Sequence, residues 1–281
     1  MRDFPLDLKT PLGLAAGYDK NAKYLEAWEG IGFGWVEVGT VTPKPRRGTP
    51  GGGMTLLRDQ KAAVNNFGMN NDGMVAVAQR LSERSTTIPV GLSIGSAVGG
   101  SKAAESYSEV LLHCAPYIAF ATLNFSCPNS CKIPMEYTLH KVMPLRPRGL
   151  PIFIKIAPDL SDADLEHIAI FAKHHGVDAI VATNTRKTPE GGLSGKPLFK
   201  NSNDTLTVLH SLTDTPLVGV GGIFTAQDAK EKMDAGASAI QIHTALAYRG
   251  ASVVGEINKG LSSNEREHTL AMARASPRSP R

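Results

Sequence analysis

The chain is poor in the features that mark a secreted, metal-binding or membrane-spanning protein. It has three cysteines, Cys114, Cys127 and Cys131, too few and too irregularly spaced for a disulfide framework or a zinc site, so no metal is expected. No apolar run is long enough to cross a bilayer, and Met1-Arg2-Asp3-Phe4 lacks the apolar stretch of a secretory signal. The expected location is therefore cytoplasmic. Strong charge of one sign is missing as well. The formal net charge is +4, and residues 262–281 supply +2 of it through four Arg against two Glu, so nucleic-acid binding is not indicated. That tail, ending Ser276-Pro277-Arg278-Ser279-Pro280-Arg281, reads as disordered and basic. Residues 1–261 remain as one domain, and a composition of 42% hydrophobic and 20% charged residues suits a single large core.

Short apolar runs that end in small or polar residues recur along the chain. Candidate strands are Leu12 to Ala16, Trp35 to Val38, Val90 to Ile94, Ile118 to Leu123, Ile152 to Ile156, Ala179 to Ala182, Leu217 to Val220 and Ala239 to Ile242. Helix-patterned segments lie between most of them. In Ser161 to Lys173 the serine caps, Asp164 fills the third position and apolar residues recur at helical spacing; Ala226 to Ala235 is a second such segment, closed by Gly236. Eight strands alternating with helices predict a (β/α)8 TIM barrel of the α/β class. A doubly wound sheet fits less well, because no glycine-rich turn with an acidic residue at the expected distance follows the first strand.

The densest polar cluster is Asn124-Phe125-Ser126-Cys127-Pro128-Asn129-Ser130, at the end of the fourth candidate strand. Pro128 cannot continue a ladder, so carboxamides, hydroxyls and a thiol gather where barrels place their active sites. A buried structural cysteine in a polar turn is the alternative. Two turns, the glycine-bearing Val218-Gly219-Val220-Gly221-Gly222 and Gln241-Ile242-His243-Thr244-Ala245, end the seventh and eighth strands. These are the loops whose backbone N–H groups commonly hold phosphate in barrels, and glycine lets the backbone approach closely.

From about Pro11 to Gly250 the chain resembles the dihydroorotate dehydrogenase family. The likeness is carried by Leu14-Ala15-Ala16-Gly17-Tyr18-Asp19-Lys20, Val36 to Pro45, Asn65-Asn66-Phe67-Gly68-Met69-Asn70, Asn124 to Asn129, Ile154 to Leu160, Thr183-Asn184-Thr185, Gly191 to Leu198, Gly219 to Gly222 and His243 to Leu246. The resemblance implies oxidation of dihydroorotate to orotate in de novo pyrimidine (UMP) synthesis, with flavin mononucleotide (FMN) across the barrel mouth. Ala15, Ala16 and Gly17 would lie against the flavin ring, with Gly39 and Thr40 on its other flank. Asn124 and Thr183 would also contact the cofactor. Lys155 would set its ammonium near N1 and O2, where negative charge accumulates when hydride reaches N5. Ser194, Gly195, Gly221, Gly222, His243 and Thr244 would hold the ribityl and phosphate groups. Lys20, Asn65, Asn124, Asn129, Asn184 and Thr185 would bind the substrate, since carboxamides match both the donors and the acceptors of a cyclic ureide. Cys127 stands where the family puts its base, which takes the C5 proton while C6 gives up hydride.

The framework, especially Thr42-Pro43-Lys44-Pro45 and Ile156 to Leu160, resembles the membrane class that reduces quinone, whereas cysteine as base resembles the soluble class. Quinone, fumarate and other electron acceptors therefore all stay open, and the resemblance is compatible with a homodimer. The chain enters its first strand by about residue 12, so the extension with which the membrane class docks on the bilayer is not seen; peripheral membrane association is expected if a native extension precedes Met1. Pro134, Pro144 and Pro147 limit any helix in that region to about two turns. Ser93 and Ala97 stand where the membrane class has asparagines, which would weaken flavin binding, and the loop from Arg186 to Glu190 is short. Two other readings are a flavin oxidoreductase acting on a related dihydropyrimidine, and a degenerate barrel that binds flavin or pyrimidine without turnover.

Overall fold

A computed structural model describes the backbone of residues 4–126 and 134–275, with side chains described to residue 263. In chain order the first half runs β1 (Leu12–Leu14), α1 (Leu25–Ile31), β2 (Trp35–Val41), β3 (Met54–Leu57), β4 (Ala62–Asn65), α2 (Gly73–Glu83), β5 (Val90–Ile94), α3 (Lys102–Cys114), β6 (Phe120–Asn124) and α4 (Met135–Val142). It continues with β7 (Ile152–Lys155), α5 (Asp162–His175), β8 (Ala179–Ala182), β9 (Arg186–Thr188), β10 (Gly191–Gly195), α6 (Phe199–Leu212), β11 (Leu217–Val220), α7 (Ala226–Asp234), β12 (Ala239–Ile242), α8 (Thr244–Arg249) and α9 (Ser252–Ala275).

Eight strands close a barrel in the order β1-β12-β11-β8-β7-β6-β5-β2, and every pairing is parallel, from Leu12 opposite Ile240 at the closure to Ala121 opposite Ile152 across the barrel. All eight correspond to strands expected from the sequence. The residues that alternate inward form their own cluster: Trp35, Phe120, Phe153, Val181, Val218 and Ala239 are fully buried, with Phe4, Leu6 and Leu8 packed beneath them. Phe120 and Phe153 stack with centroids 4.7 Å apart. Gly91 makes this possible, since a Cβ there would lie 2.1 Å from the Phe120 ring. The larger cluster lies between the outer faces of the strands and the helices, and burying so many Leu, Ile and Val side chains is the main drive to this architecture.

Helix ends follow the local sequence. Ser161 and Asp164 form the expected capping box, with the Ser161 N–H donating to Asp164 Oδ2 at 3.0 Å and the Asp164 N–H donating to Ser161 Oγ at 3.2 Å. Thr225 caps α7 through the Asp228 N–H. Pro134 precedes α4, which has eight residues, matching the two turns that the prolines permit. α9 extends to Ala275, within the stretch whose composition reads as disordered.

The strand pattern did not reveal a second, antiparallel sheet in the order β3-β4-β10-β9. Its strands leave the barrel after β2 and after β8, and β4 pairs with β10 through Asn65 opposite Gly192 and Ala63 opposite Ser194. The short Arg186–Glu190 segment is thus part of a hairpin, β9 turning into β10.

Candidate active site

A single pocket at the C-terminal ends of the barrel strands takes in residues from seven of the eight strands or the loops that follow them. Ala15, Ala16 and Gly17 follow β1, Thr40 lies in β2, Asn124 ends β6 and Lys155 ends β7; Thr183, Asn184 and Thr185 follow β8, Gly221 and Gly222 follow β11, and His243 and Thr244 follow β12. The small sheet adds Asn65 from β4 and Ser194 and Gly195 from β10. Lys20 completes the set. Every described site residue expected from the sequence lines this pocket except Gly39, which sits just behind it. Gly39 has φ +102° and a Cβ there would come within 2.5 Å of the Ser93 carbonyl, so it shapes the wall without forming its surface. Cys127 and Asn129, and with them Cys131, lie outside the described residues.

Side-chain hydrogen bonds order the polar wall. Asn124 Nδ2 donates to Thr40 Oγ1 at 3.1 Å, and Thr40 Oγ1 is 2.9 Å from Ser93 Oγ. Asn124 Oδ1 accepts from the Ser126 N–H and hydroxyl at 3.2 and 3.0 Å, while Asn184 Nδ2 donates to the Ser126 carbonyl at 3.2 Å. Two carboxamides therefore clamp the residue immediately before Cys127. Ser93 is fully buried and supports Thr40, and Ala97 is exposed and outside the pocket. On the opposite side Lys20 Nζ donates to Asn70 Oδ1 at 2.5 Å and lies 3.8 Å from the centroid of the Phe67 ring, and Asn65 Nδ2 donates to the Gly192 carbonyl at 3.1 Å.

Lys155 is the electrostatic centre. Its side chain is 4% exposed, and burial lowers its pKa while the charge of Glu37 acts to raise it. No side chain among the described residues accepts a hydrogen bond from its ammonium within the distances of a normal bond. A buried ammonium with donors to spare calls for an anionic or carbonyl-rich partner in the pocket. Glu37, in the middle of β2, is completely buried and accepts from Gln241 Nε2 at 2.6 Å. His243 is held at a pKa of about 4 by burial, with Lys155 and Lys20 adding in the same direction. It is neutral across the physiological range and so can donate or accept without repelling a cation.

Sequence reasoning did not assign Phe67, Asn70, Glu37 or Gln241 to the site. Phe67 and Asn70 lay within a matched segment, and a charge in Trp35-Val36-Glu37-Val38 or an amide in Ala239-Ile240-Gln241-Ile242 was itself a signal, because a polar side chain inside an apolar strand needs a partner.

A family model described as Dihydroorotate dehydrogenase matches residues 4–264. The chain belongs to the dihydroorotate dehydrogenase family. Members of this family are FMN flavoproteins. Among relatives, a protein of Cereibacter sphaeroides named Dihydroorotate dehydrogenase (quinone) is 42% identical over 281 aligned residues, covering 92% of this chain and 79% of that protein. One of the same name from Christiangramia forsetii is 36% identical over 280, covering 91% and 82%. Among solved structures, the DHODH of Eimeria tenella in complex with ferulenol superposes with a TM-score of 0.86 at 28% identity, covering 94% of this chain and 84% of that one. The ligand-free form gives 0.84 at 29% identity. Among the described residues no helix is long and apolar enough to cross a membrane, and no cluster of His, Cys, Asp or Glu could hold a metal ion.

The pocket fits the flavin this family carries. Small residues at Ala15, Ala16 and Gly17 leave room for a flat ring beside the backbone, Lys155 presents an unmet ammonium, and Gly221 and Gly222, at φ +116° and +74°, expose a stretch of main chain that a side chain would cover. Cys114, by contrast, is a core residue of α3 whose thiol burial pushes up to about 12, leaving it inert at neutral pH.

Proposed function

We propose that the protein oxidises dihydroorotate to orotate in pyrimidine synthesis, with FMN bound across the barrel mouth and a quinone as final electron acceptor. The observation that carries this reading is the convergence of Lys20, Asn65, Asn124, Asn184 and Thr185 with Lys155 in one pocket, a set that matches an anionic cyclic ureide on one side and a flavin on the other. The quinone assignment rests on the names of the Cereibacter and Christiangramia relatives.

FMN, when bound, supplies the two-electron acceptor for the hydride leaving C6 of the substrate. The chain supplies everything else. Lys20, steered by Asn70 and Phe67, attracts the substrate carboxylate, while Asn65, Asn124 and Asn184 pair with the ring amides. Lys155, which is almost fully buried, stabilises the negative charge that comes with reduction, since electrostatic effects are large away from solvent. The main chain of Gly195, Gly221, Gly222 and Thr244 holds the phosphate end, aided by Ser194, whose hydroxyl is 2.9 Å from Thr244 Oγ1. Cys127, which follows in sequence the Ser126 held by Asn124 and Asn184, is assigned removal of the C5 proton as a thiolate. The purified protein should be yellow, and anaerobic dihydroorotate should bleach it; retention of colour under excess substrate would overturn the assignment. Reoxidation by a short-chain quinone but not by fumarate would support the acceptor, and the reverse preference would reject it.

A further inference from the structure

Behind the phosphate loop, on the side away from the pocket, lies a lysine that the reaction does not use. Lys232 of α7 is completely buried, and its Nζ donates to Ser202 Oγ of α6. Its stem packs on Gly219, where a Cβ would lie 2.4 Å from Lys232 Cγ, and its Nζ is 4.9 Å from the Phe199 ring centroid. Burial pulls its pKa down to about 7, opposed by the charge of Asp228 and reinforced by that of Lys196. Asp228 is already committed: Oδ1 accepts from Lys196 Nζ at 2.6 Å and Oδ2 from the Phe224 N–H at 2.9 Å.

Ser202 passes the interaction on. A hydroxyl that accepts from an ammonium must turn its own proton elsewhere, and the acceptors within reach are the carbonyls of Phe199 at 3.1 Å and Gly221 at 3.4 Å. The two carbonyls share that proton as a three-centre bond, in which Phe199, three residues back on α6, is the nearer partner and Gly221 is the contact that reaches across to the loop. The Gly221–Gly222 peptide is trans, so its C=O and N–H point in opposite directions. Drawing the Gly221 carbonyl back toward α6 therefore turns the Gly222 N–H toward the pocket that both glycines line. Two successive glycines at positive φ have little stiffness of their own, so this peptide needs an outside constraint to stay turned one way.

We propose that Lys232 and Ser202 are positioning residues for a phosphate monoester in the pocket: the ammonium, through the Ser202 hydroxyl, orients the Gly221–Gly222 peptide as an anion donor and adds a buried positive charge behind it. This rests on the FMN reading and deepens it. The phosphate end of the ligand is recognised by a main-chain donor whose direction is set from the far side of the loop by a side chain that never touches it.

The test, run at about pH 6 so that Lys232 with its pKa of about 7 is protonated, compares apoprotein binding of FMN with that of riboflavin, which keeps the ring and ribityl chain but lacks the phosphate, by quenching of flavin fluorescence. Lys232→Met and Ser202→Ala should each weaken FMN by about tenfold or more, the scale of a charge-assisted hydrogen bond, while riboflavin affinity stays within about twofold, since the ring contacts are untouched. Should Lys232→Met fail to fold, Ser202→Ala carries the comparison alone. Equal weakening of both ligands would make the pair merely structural and overturn the proposal, as would an unchanged preference for FMN. Wild-type protein that binds neither flavin would remove the cofactor reading itself, an outcome distinct from a wild type that prefers FMN and variants that keep that preference.

Discussion

Replacing Lys155 by Met keeps the volume of the stem and deletes the charge, so it separates the electrostatic role of this residue from its packing. At a separation of about 4 Å and an effective dielectric of about 20, opposite unit charges interact by about 4 kcal/mol, and removal of one preorganised donor to developing charge in other enzymes costs about 3–4 kcal/mol. Flavin reduction by dihydroorotate should therefore slow by about 10²–10³-fold. The variant also leaves Glu37 as a fully buried carboxylate that has lost the cation acting on it, a stability loss of about 3 kcal/mol, at the low end for buried pairs because the two act through space. The Glu37→Gln/Lys155→Met double variant removes both charges and keeps an amide beside Gln241, whose Nε2 now donates to Glu37. It should regain most of the thermal stability and none of the rate. Anaerobic stopped-flow bleaching of flavin-loaded proteins, alongside thermal melts, reads both quantities. A double variant reduced at close to the wild-type rate would refute the electrostatic role and return Lys155 to a packing residue.

Two pH effects follow from the thiols and from His243. An unperturbed cysteine with a pKa of about 8.5 is only a few per cent thiolate at neutral pH, so substrate-driven flavin reduction should rise with pH up to the ionisation of Cys127. Cys127→Ala should abolish that limb and Cys131→Ala should keep it, and the opposite pattern would move the base to Cys131. For His243 the folded pKa of about 4 lies below the ordinary value of 6.5. Between those values the unfolded chain binds a proton that the folded protein refuses, so stability falls as pH drops from about 6.5 to about 4 and levels off below. Denaturant titrations of His243→Gln should lack that share of the acid sensitivity; an unchanged pH dependence would place the histidine in a more polar setting than its burial implies.

The barrel was legible because its strands obey a local rule. A run such as Ala179 to Ala182 or Leu217 to Val220 carries no polar side chain on either face, since one face meets the barrel interior and the other the helices. The capping box at Ser161 and Asp164 was equally local. The small sheet was not legible. Its strands Met54–Leu57 and Gly191–Gly195 are partly exposed or glycine-rich, and although β3 pairs locally with β4 and β9 with β10, the two hairpins become one sheet only through β4 and β10, more than a hundred residues apart, which no window of sequence contains.

The same distinction runs through the site. Residues at strand ends, such as Asn124, Lys155 and Gly221, could be placed from the sequence because a barrel delivers every strand end to one mouth. Glu37 and Gln241 are mid-strand, and β2, β7 and β12 are separated around the barrel by other strands. Glu37 acts on Lys155 and bonds Gln241 only because the closed sheet faces them inward together. Each of these side chains alone would be a costly burial. Within the barrel the carboxylate opposes the desolvation that lowers the Lys155 pKa, and Gln241 donates to that carboxylate. The charge at the pocket floor thus depends on three strands, and a neutral substitution at Glu37 should reach the flavin chemistry through Lys155 although Glu37 itself does not line the pocket.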